Sequence, residues 1–396
     1  MQKKTIRNID VNGKRVLLRV DYNVPMENGR ITDDTRIRAT LPTINYLLKE
    51  KARVVLCTHL GRPGGKIVDE LRLTPIAERL AGLITKTGVI YIQESSGEHA
   101  AATISALQPG GLALLENIRF EPGEEKNDLE FTKSLANMAD IFVNDALATA
   151  HRAHSSTAGL ANFLPAVAGF LMEQELHMLN MILNSPEKPL AAILGGAKVS
   201  DKIGVINKLL DIAEVIIIGG GMAGTFSKAL GHEIGDSLIE DDWVEFAKNL
   251  INESNNKGVQ LLLPSDFVVA DKFTSDANSQ IVASNSISSG WRIMDIGPET
   301  SKIYEDTITK CKTIVWNGPM GVFEFDKFKT GTINLANKLS TLDQATTVLG
   351  GGSTGEAVRE LGLEDKMTHV STGGGATLEF LEGKELPGVI SLLDTD

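Results

Sequence analysis

Residues 190–202 read Leu-Ala-Ala-Ile-Leu-Gly-Gly-Ala-Lys-Val-Ser-Asp-Lys. The five apolar residues form a continuous run, which is typical of a strand buried on both faces of a parallel sheet. The two glycines let the backbone approach a ligand closely, and a helix beginning after them would direct its partial positive charge to the same place. The stretch therefore predicts a strand, a phosphate-binding loop and a helix in succession.

The same alternation of short apolar runs and helical patterns extends along the chain, and it predicts βαβ units with parallel sheets. The predicted strands are 15–20, 53–58, 89–93, 112–115, 141–144, 190–194, 215–218, 260–262, 313–316, 346–349 and 368–371. We therefore expect an α/β fold with two Rossmann-like domains, each a mostly parallel sheet with helices on both faces, separated by a cleft.

A domain boundary is predicted near the middle of the chain. Apolar residues at helical spacing over Phe170–Leu183 precede a polar segment at 184–189 that contains two prolines, and prolines there end the helix. The expected organisation is a first domain at 1–169, an interdomain helix and linker at 170–189, a second domain at 190–382 and a C-terminal segment at 383–396.

Composition narrows the classes of function. The chain has 396 residues and a formal net charge of −12, which argues against nucleic acids or anionic membranes as main partners. The apolar runs are too short to span a bilayer, and no apolar stretch of a secretory signal follows the basic N-terminus. Cys57 and Cys311 cannot form a disulfide framework, which indicates a reducing compartment. We expect a cytoplasmic protein without nucleic-acid or membrane partners.

Charged residues follow the strands of the first half, where ligands bind in open α/β sheets. Guanidinium groups suit phosphate and carboxylate oxygens, so these residues predict a pocket for a small anion with more than one negative group. His151 and His154 have a spacing that permits a metal, but no third ligand is evident, and an anion-facing or hydrogen-bonded role is favoured. The charged residues in question are Arg19, Asp21, Arg36, His59, Arg62, Glu116, Arg119, Asp145 and Arg152.

Glycine follows the strands of the second half. The chain has 38 glycines, about 10% against an average near 7%. Five glycine-rich segments at successive strand ends predict a cradle for nucleotide phosphates, with Lys198 and Lys202 sharing one helix face if the helix begins near them. The segments are 195–196, 219–221, 318–321, 350–352 and 373–375.

Two alternatives stay open at this point. Gly219-x-Gly221-x-x-Gly224 and Gly350-x-Gly352-x-x-Gly355 both match the dinucleotide fingerprint, with Glu240 near the expected distance of an acidic partner, so a nucleotide-dependent dehydrogenase is one. A non-catalytic nucleotide-sensing protein is the other. No P-loop motif occurs. A multiply charged anion in one domain and a nucleotide in the other favour phosphoryl transfer, which requires both.

Several long motifs resemble those of the phosphoglycerate kinase family, over essentially the whole chain. They read Arg-Val-Asp-Tyr-Asn-Val-Pro at 19–25, His-Leu-Gly-Arg-Pro at 59–63, Ala-His-Arg-Ala-His-Ser-Ser at 150–156, Gly-Gly-Ala-Lys-Val-Ser-Asp-Lys at 195–202, Trp-Asn-Gly-Pro-Met-Gly at 316–321 and Ser-Thr-Gly-Gly-Gly-Ala at 371–376.

The resemblance implies the reversible reaction of 1,3-bisphosphoglycerate and ADP with 3-phosphoglycerate and ATP in glycolysis. It implies Mg²⁺ with the nucleotide, hinge bending and, we expect, a monomer. The implied substrate-binding residues are Asp21, Asn23, Arg36, His59, Arg62, Arg119 and Arg152. The implied nucleotide-binding residues are Lys198, Lys202, Gly219, Gly220, Glu324, Gly351, Gly352, Ser353 and Thr354. The segment 387–396 resembles one that returns to the first domain.

Catalysis is expected to consist of positioning and charge stabilisation. The acceptor carboxylate is already ionised at pH 7, so no general base is needed. Arg36 is the predicted cation beside the reacting groups, with Lys202 and the amides of Gly373–Gly375 on the equatorial oxygens. The catalytic prediction is thus Arg36, Lys202, Gly373 and Gly374, with no metal ligand from the protein.

The sequence departs from the family pattern at two positions. Ser353 stands where the family has an Asp that contacts the metal, so direct protein ligation of Mg²⁺ is in question. Leu147 replaces a Phe, a change that concerns packing.

Overall fold

The computed structural model describes residues 2–350 and 352–395. The chain divides into two compact units. The first contains the residues up to His177 together with those from Glu385 onward, and the second contains Met178–Lys384. Across the described residues, no helix is both long enough and apolar enough to cross a membrane.

The first unit is built on a six-stranded parallel sheet. Its strands and the short hairpin beside it are β1 (Arg15–Arg19), β2 (Met26–Glu27), β3 (Arg30–Ile31), β4 (Arg53–Cys57), β5 (Ile90–Tyr91), β6 (Leu112–Leu114), β7 (Ile141–Asn144) and β8 (Ala166–Ala168). The strand order is β5-β6-β4-β1-β7-β8. Arg19 at the end of β1 is paired with both Cys57 and Asn144, so the carboxyl ends of three strands meet at one edge.

Amphipathic helices cover this sheet. They are α1 (Thr35–Ala39), α2 (Leu41–Lys49), α3 (Thr74–Leu83), α4 (Glu98–Ala106), α5 (Leu129–Ala136) and α6 (Leu147–Ala150). The next helix, α7 (Phe170–Asn184), begins in the first unit and ends in the second. Ile44 and Leu80 are fully buried against strand residues such as Leu18 and Val54. The Asp128 carboxylate begins α5 by accepting a hydrogen bond from the Phe131 amide at 2.9 Å, a stabilising N-cap.

The second unit contains another six-stranded parallel sheet and a smaller antiparallel one. The strands are β9 (Leu190–Leu194), β10 (Val215–Ile218), β11 (Gln260–Leu262), β12 (Asp266–Ala270), β13 (Ser279–Ala283), β14 (Arg292–Ile296), β15 (Thr313–Asn317), β16 (Thr346–Gly350) and β17 (His369–Val370). The parallel sheet has the order β11-β10-β9-β15-β16-β17. Leu194 is paired with Ile218 and Asn317, and Asn317 with Gly350, so the glycine-rich segments leave the sheet at one edge.

The helices of the second unit follow its strands, as a βαβ pattern requires. They are α8 (Ile203–Leu210), α9 (Ala223–Ala229), α10 (Val244–Lys257), α11 (Pro298–Ile308), α12 (Thr330–Leu339), α13 (Gly352–Glu360) and α14 (Gly375–Leu381). Val205, Ile206 and Leu209 form the buried face of α8. Gly258, with φ of 70°, ends α10 in the left-handed conformation that glycine adopts without strain.

The C-terminal segment belongs to the first unit. Lys3 Nζ donates to Leu392 O at 2.8 Å and lies 2.8 Å from the Asp394 carboxylate. The final helix, α15 (Pro387–Ile390), packs on α6, and a Cβ atom at Gly388 would lie 2.9 Å from Ala150 Cα. Glycine is therefore required at this close approach of two helices.

The prediction of two mostly parallel α/β sheets is confirmed, with differences at the edges. The strands predicted at 89–93 and 368–371 shorten to Ile90–Tyr91 and His369–Val370, because each lies at an edge of its sheet and has a neighbour on one side. β8, the β2–β3 hairpin and the antiparallel sheet β13-β12-β14 were not predicted from the sequence.

Candidate active site

A cluster of charged residues lies at the carboxyl end of β1. The Arg36 guanidinium forms an ion pair with the Asp21 carboxylate, and Asp21 Oδ1 accepts from the Asn23 amide at 3.1 Å. Arg19 Nη2 lies 3.1 Å from Nδ1 of His59. Arg19, Asp21 and His59 are buried, whereas the Arg36 side chain is 33% exposed. Arg36 is therefore the member of this group that a ligand can reach.

Arg119 joins this cluster through the turn after β4. Its Nη1 donates to Gly61 O at 2.9 Å, and the Gly61 amide donates to Asn23 Oδ1 at 2.8 Å. Buried Asn117 fixes the same turn because its Oδ1 accepts from the Arg119 amide at 3.2 Å and its Nδ2 donates to Leu60 O at 2.8 Å. The structure thus connects Asn23 and Arg119, which are distant in sequence.

Glu124 is a buried acid that is connected to Arg19 through Ser156. The Ser156 hydroxyl donates to Glu124 Oε1 at 2.5 Å, and the Ser156 amide donates to Oε2 at 3.0 Å. Ser156 Oγ also accepts from Arg19 Nε at 2.9 Å. Burial raises the pKa of Glu124, while Arg19 and Ser156 oppose that rise. Glu124 is therefore connected to the arginine cluster through the Ser156 hydroxyl.

The histidines of this cluster are neutral. Burial, followed by the charges of Arg19, Arg119 and Arg36, lowers the pKa of His59 well below its usual value. Burial and Arg119 lower the pKa of His154 to about 4. Positive charge at this site consequently comes from arginines, which stay charged at any working pH.

The remaining predicted residues lie around this cluster. Arg152 Nε donates to His151 Nε2 at 3.1 Å, and Arg62 is exposed directly after Gly61. Within the described residues, no group of three or more His, Cys, Asp or Glu side chains is arranged to hold a metal ion. His151 is thus part of a hydrogen-bonded pair with Arg152.

Three glycine-rich segments of the second unit pack against each other, which changes the interpretation of their glycines. A Cβ atom at Gly195 would lie 2.2 Å from Pro319 O, and one at Gly220 would lie 2.6 Å from the Gly196 amide nitrogen. Gly318, with φ of 95°, is similarly close to Gly195 O. Part of the glycine content therefore serves contact between loops and not contact with a ligand.

Other glycines of this edge face open space. A Cβ atom at Gly196, Gly374 or Gly375 would meet no atom of residues 2–350 or 352–395 within 4 Å. The Gly373 amide donates to Ser371 Oγ at 3.1 Å, so it is already used within its own loop. The Gly374 and Gly375 amides, at the beginning of α14, are the better donors for an anion.

Lys202 lies beside Asn317 at the centre of this edge. Its Nζ donates to Asn317 Oδ1, and within the described residues the buried Nδ2 of Asn317 has no hydrogen-bond partner. Burial lowers the pKa of Lys202 to about 8, with Asp201 opposing the shift. A buried amide donor without an acceptor is costly, so this pair is a strong candidate for binding oxygen atoms of a ligand.

The expectation that Lys198 and Lys202 share a helix face is wrong. Residues 200–202 form a single 3₁₀ turn and α8 begins at Ile203, so exposed Lys198 precedes the first helical turn. After Gly195 and Gly196, the chain runs through an irregular segment before the helix begins. The lysines are close in sequence without the i, i+4 geometry.

The other predicted nucleotide-binding residues occupy different environments. Glu324, Gly352 and Ser353 are exposed, whereas Gly219 is buried. Thr354 is fully buried, and its Oγ1 accepts from the Gly318 amide at 2.7 Å. Gly351 lies outside the described residues.

Glu124, Ser156 and Asn317 were not predicted as site residues, whereas Arg19 was among the charged residues of the predicted anion pocket. Asn317 directly follows the predicted strand at 313–316, so an amide residue at a strand end was an available signal. The sequence contains no such signal for Glu124 or Ser156, because their hydrogen bonds join segments that are 32 residues apart.

An arginine cluster on one parallel sheet, and glycine loops with a buried lysine on another, are the features expected of an α/β phosphotransferase. The family model of phosphoglycerate kinase matches residues 6–384. The chain belongs to the phosphoglycerate kinase family, whose members transfer a phosphoryl group reversibly between 1,3-bisphosphoglycerate and ADP in glycolysis.

Solved structures agree with this assignment. The phosphoglycerate kinase from Coxiella burnetii is 43% identical to this chain, with 98% of each chain covered and a TM-score of 0.87. The phosphoglycerate kinase from Pyrococcus horikoshii OT3 is 34% identical, again with 98% of each chain covered and a TM-score of 0.86. These matches favour a kinase over the dehydrogenase alternative, whose acidic partner Glu240 bonds to the backbone of Val199 and Ser200.

Proposed function

We propose that the first unit binds 3-phosphoglycerate or 1,3-bisphosphoglycerate and that the second binds ATP or ADP. The proposal for the first unit is based on the arginine cluster around neutral His59, in which Arg36 is the partly exposed member. Two or more cations around one opening favour a ligand with several negative groups. Asp21, Asn23, His59, Arg62, Arg119 and Arg152 would complete the substrate site.

The observation that supports nucleotide binding is the buried Asn317 Nδ2 beside Lys202, which has no hydrogen-bond partner among the residues that the structure describes. Phosphate oxygens would accept from both groups and would stabilise the charged form of Lys202. Lys198, the Gly374 and Gly375 amides, and the start of α13 at Gly352–Thr354 would contribute further donors. Gly219, Gly220 and Glu324 would contact the nucleoside.

The proposed acceptor is the carboxyl group of 3-phosphoglycerate, which is ionised near neutral pH and attacks without a general base. Arg36 would neutralise the charge of the reacting carboxylate and phosphoryl oxygens. Lys202 and the glycine amides would stabilise the phosphate chain as charge moves to its equatorial oxygens. Each group acts by position and charge, so no proton transfer by the protein is required.

Mg²⁺ enters this proposal as part of the nucleotide substrate. The described residues offer no cluster of acidic or histidine ligands, and exposed Ser353 is a neutral oxygen donor. Because Mg²⁺ retains water readily, phosphate oxygens and waters would supply most of its ligands. We further propose a cytoplasmic monomer without nucleic-acid or membrane partners, in line with the acidic composition.

A coupled assay of ATP consumption with 3-phosphoglycerate tests the proposed function directly. Turnover that requires both 3-phosphoglycerate and magnesium nucleotide is expected. ATP binding without turnover would favour the non-catalytic alternative and would overturn the proposal.

A further inference from the structure

Glu240 makes a concentrated set of hydrogen bonds inside the second unit. Its Oε2 accepts from the Val199 amide at 2.6 Å and from the Ser200 amide at 3.1 Å. Its Oε1 accepts from the Ser200 hydroxyl at 2.5 Å. Hydrogen bonds to an ionised carboxylate are shorter and stronger than those between neutral groups. One side chain therefore holds two consecutive residues of a distant segment.

Val199 and Ser200 lie between Lys198 and Lys202, the two lysines of the proposed nucleotide site. Ser200–Lys202 form a 3₁₀ turn in which the Lys202 amide donates to Val199 O at 2.8 Å. The first amides of such a turn have no partner within it, and Val199 carries no side-chain acceptor to cap them. Glu240 supplies that cap from 40 residues away in sequence.

Glu240 is itself fixed to the helix after the second glycine loop. Its backbone amide donates to Thr225 Oγ1 at 3.2 Å, and Thr225 lies in α9. Burial alone would raise the pKa of Glu240, but the Ser200 hydroxyl and the Ser200 and Val199 amides lower it overall. The carboxylate is therefore ionised at neutral pH and rigidly placed.

We propose that Glu240 is a positioning residue for nucleotide binding: its carboxylate fixes the backbone from which Lys198 and Lys202 extend toward the phosphates. The proposal rests on the function proposed above for these two lysines. Lys202 must meet Asn317 and a phosphate at the same time, so a shift of its backbone would weaken binding. Glu240 acts only through the lysine segment.

The test compares Glu240→Gln with the matched control Glu214→Gln. Glu214 also lies partly buried in the second unit, and its Oε2 accepts from the Leu190 amide at 2.8 Å, at the opposite end of β9 from Gly195. We expect Glu240→Gln to raise the Kd of MgADP about tenfold, the loss of one hydrogen bond to a charged group. Glu214→Gln should leave that Kd unchanged.

The Michaelis constant for the phosphoglycerate substrate serves as the internal control. A general structural defect would change this constant together with the Kd of MgADP, whereas the proposed role of Glu240 changes only the Kd of MgADP. The Michaelis constant should stay within roughly twofold of the wild-type value in both variants. An unchanged Kd of MgADP in Glu240→Gln would overturn the proposal, as would an equal increase of both constants. If Glu240→Gln does not fold, Ser200→Ala removes a single bond, and we expect about a threefold rise in the Kd of MgADP. An unchanged Kd there would also overturn it.

A double-mutant comparison separates this proposal from the function proposed for the lysines. In a Lys198→Ala/Lys202→Ala background, Glu240→Gln should add less than about a twofold effect, because residues acting as one unit are not additive. If the lysine variant binds MgADP like the wild type, the function proposed for the lysines is wrong. If it loses binding while Glu240→Gln alone retains it, only the role of Glu240 is wrong.

Discussion

Nη2 of Arg19 lies 3.1 Å from Nδ1 of His59, and both side chains are buried. A guanidinium group can only donate, so Nδ1 of His59 must accept and the ring proton must be on Nε2. Since burial and three arginines hold the pKa of His59 well below its usual value, the ring is a neutral Nε2–H donor. The buried Arg19 thereby leaves the Nε2–H group as the hydrogen-bond donor of the His59 ring.

The first prediction concerns this tautomer. Nitrogen NMR of the histidine rings should show His59 in one neutral form from about pH 5 to 8, because its protonation lies below that range. The His59→Gln variant identifies the signal. A transition of this signal near pH 6.5 would contradict the proposed tautomer.

The second prediction compares two arginines of the same helix. Arg36 pairs with Asp21, whereas Arg38 is 53% exposed and pairs with Asp34. Arg36→Ala should lower kcat on the order of 10²–10³-fold, the usual effect of removing charge stabilisation in the transition state. Arg38→Ala should leave kcat unchanged. Steady-state kinetics would remove Arg36 from the catalytic role if kcat stayed normal and only KM rose.

The third prediction follows from the pKa of Lys202, which burial lowers to about 8. Above that pH the free protein loses the lysine charge, so kcat/KM for the nucleotide should fall about tenfold per pH unit. Lys202→Arg should remove this decline because a guanidinium stays charged. Lys198→Arg should retain it and serves as the control. A decline that persists in Lys202→Arg would assign the titration to another group.

The fourth prediction concerns stability. Asp295 accepts from the Gly331 amide at 2.8 Å, and burial, opposed by its hydrogen bonds to backbone amides, raises its pKa to about 7. Between about pH 4 and 7 the native protein keeps a proton that the unfolded chain has released, so the contribution of Asp295 to stability falls as pH rises.

Urea denaturation of the wild type and Asp295→Asn at several pH values measures this effect. The stability of the variant relative to the wild type should improve as pH rises through that window, by a few kcal/mol at most, since one pKa unit corresponds to about 1.4 kcal/mol. A stability difference between the two proteins that does not depend on pH would show that the pKa of Asp295 lies outside this window.

The fifth prediction concerns Ser353, an exposed residue at the start of α13. A carboxylate there would give Mg²⁺ a charged ligand that serine does not provide. Ser353→Asp should therefore lower the free Mg²⁺ concentration needed for half-maximal rate at fixed nucleotide. Superimposable magnesium curves for the two proteins would show that a carboxylate at this position makes no difference.

The parallel sheets were predictable because their information is local. Leu190–Leu194 and Val215–Ile218 are continuous apolar runs, and the observed strands have the predicted bounds. A strand covered on both faces has to be apolar throughout, so its sequence identifies it. The antiparallel strand Ser279–Ala283 is mostly exposed, and its pairing with Asp266–Ala270 leaves no such pattern.

The candidate site, like the fold, was predictable from the sequence only in part. The positions of Asp21, His59 and Lys202 near strand ends could be predicted from the sequence, and ligands bind at such ends in α/β sheets. The tertiary structure alone decided that Gly195, Gly220 and Gly318 serve contacts between loops, because a loop's neighbour depends on the order of strands in the sheet.

The roles of Glu124 and Glu240 also depended on the tertiary structure. Both are acids whose partners are amides and hydroxyls more than 30 residues away, at Ser156 and Ser200. A backbone amide is present at every residue except proline, so the sequence carries no mark of which amide a carboxylate will meet. Short-range patterns thus determined the strands and the residues at their ends, while hydrogen bonds between distant segments determined how the side chains there are positioned.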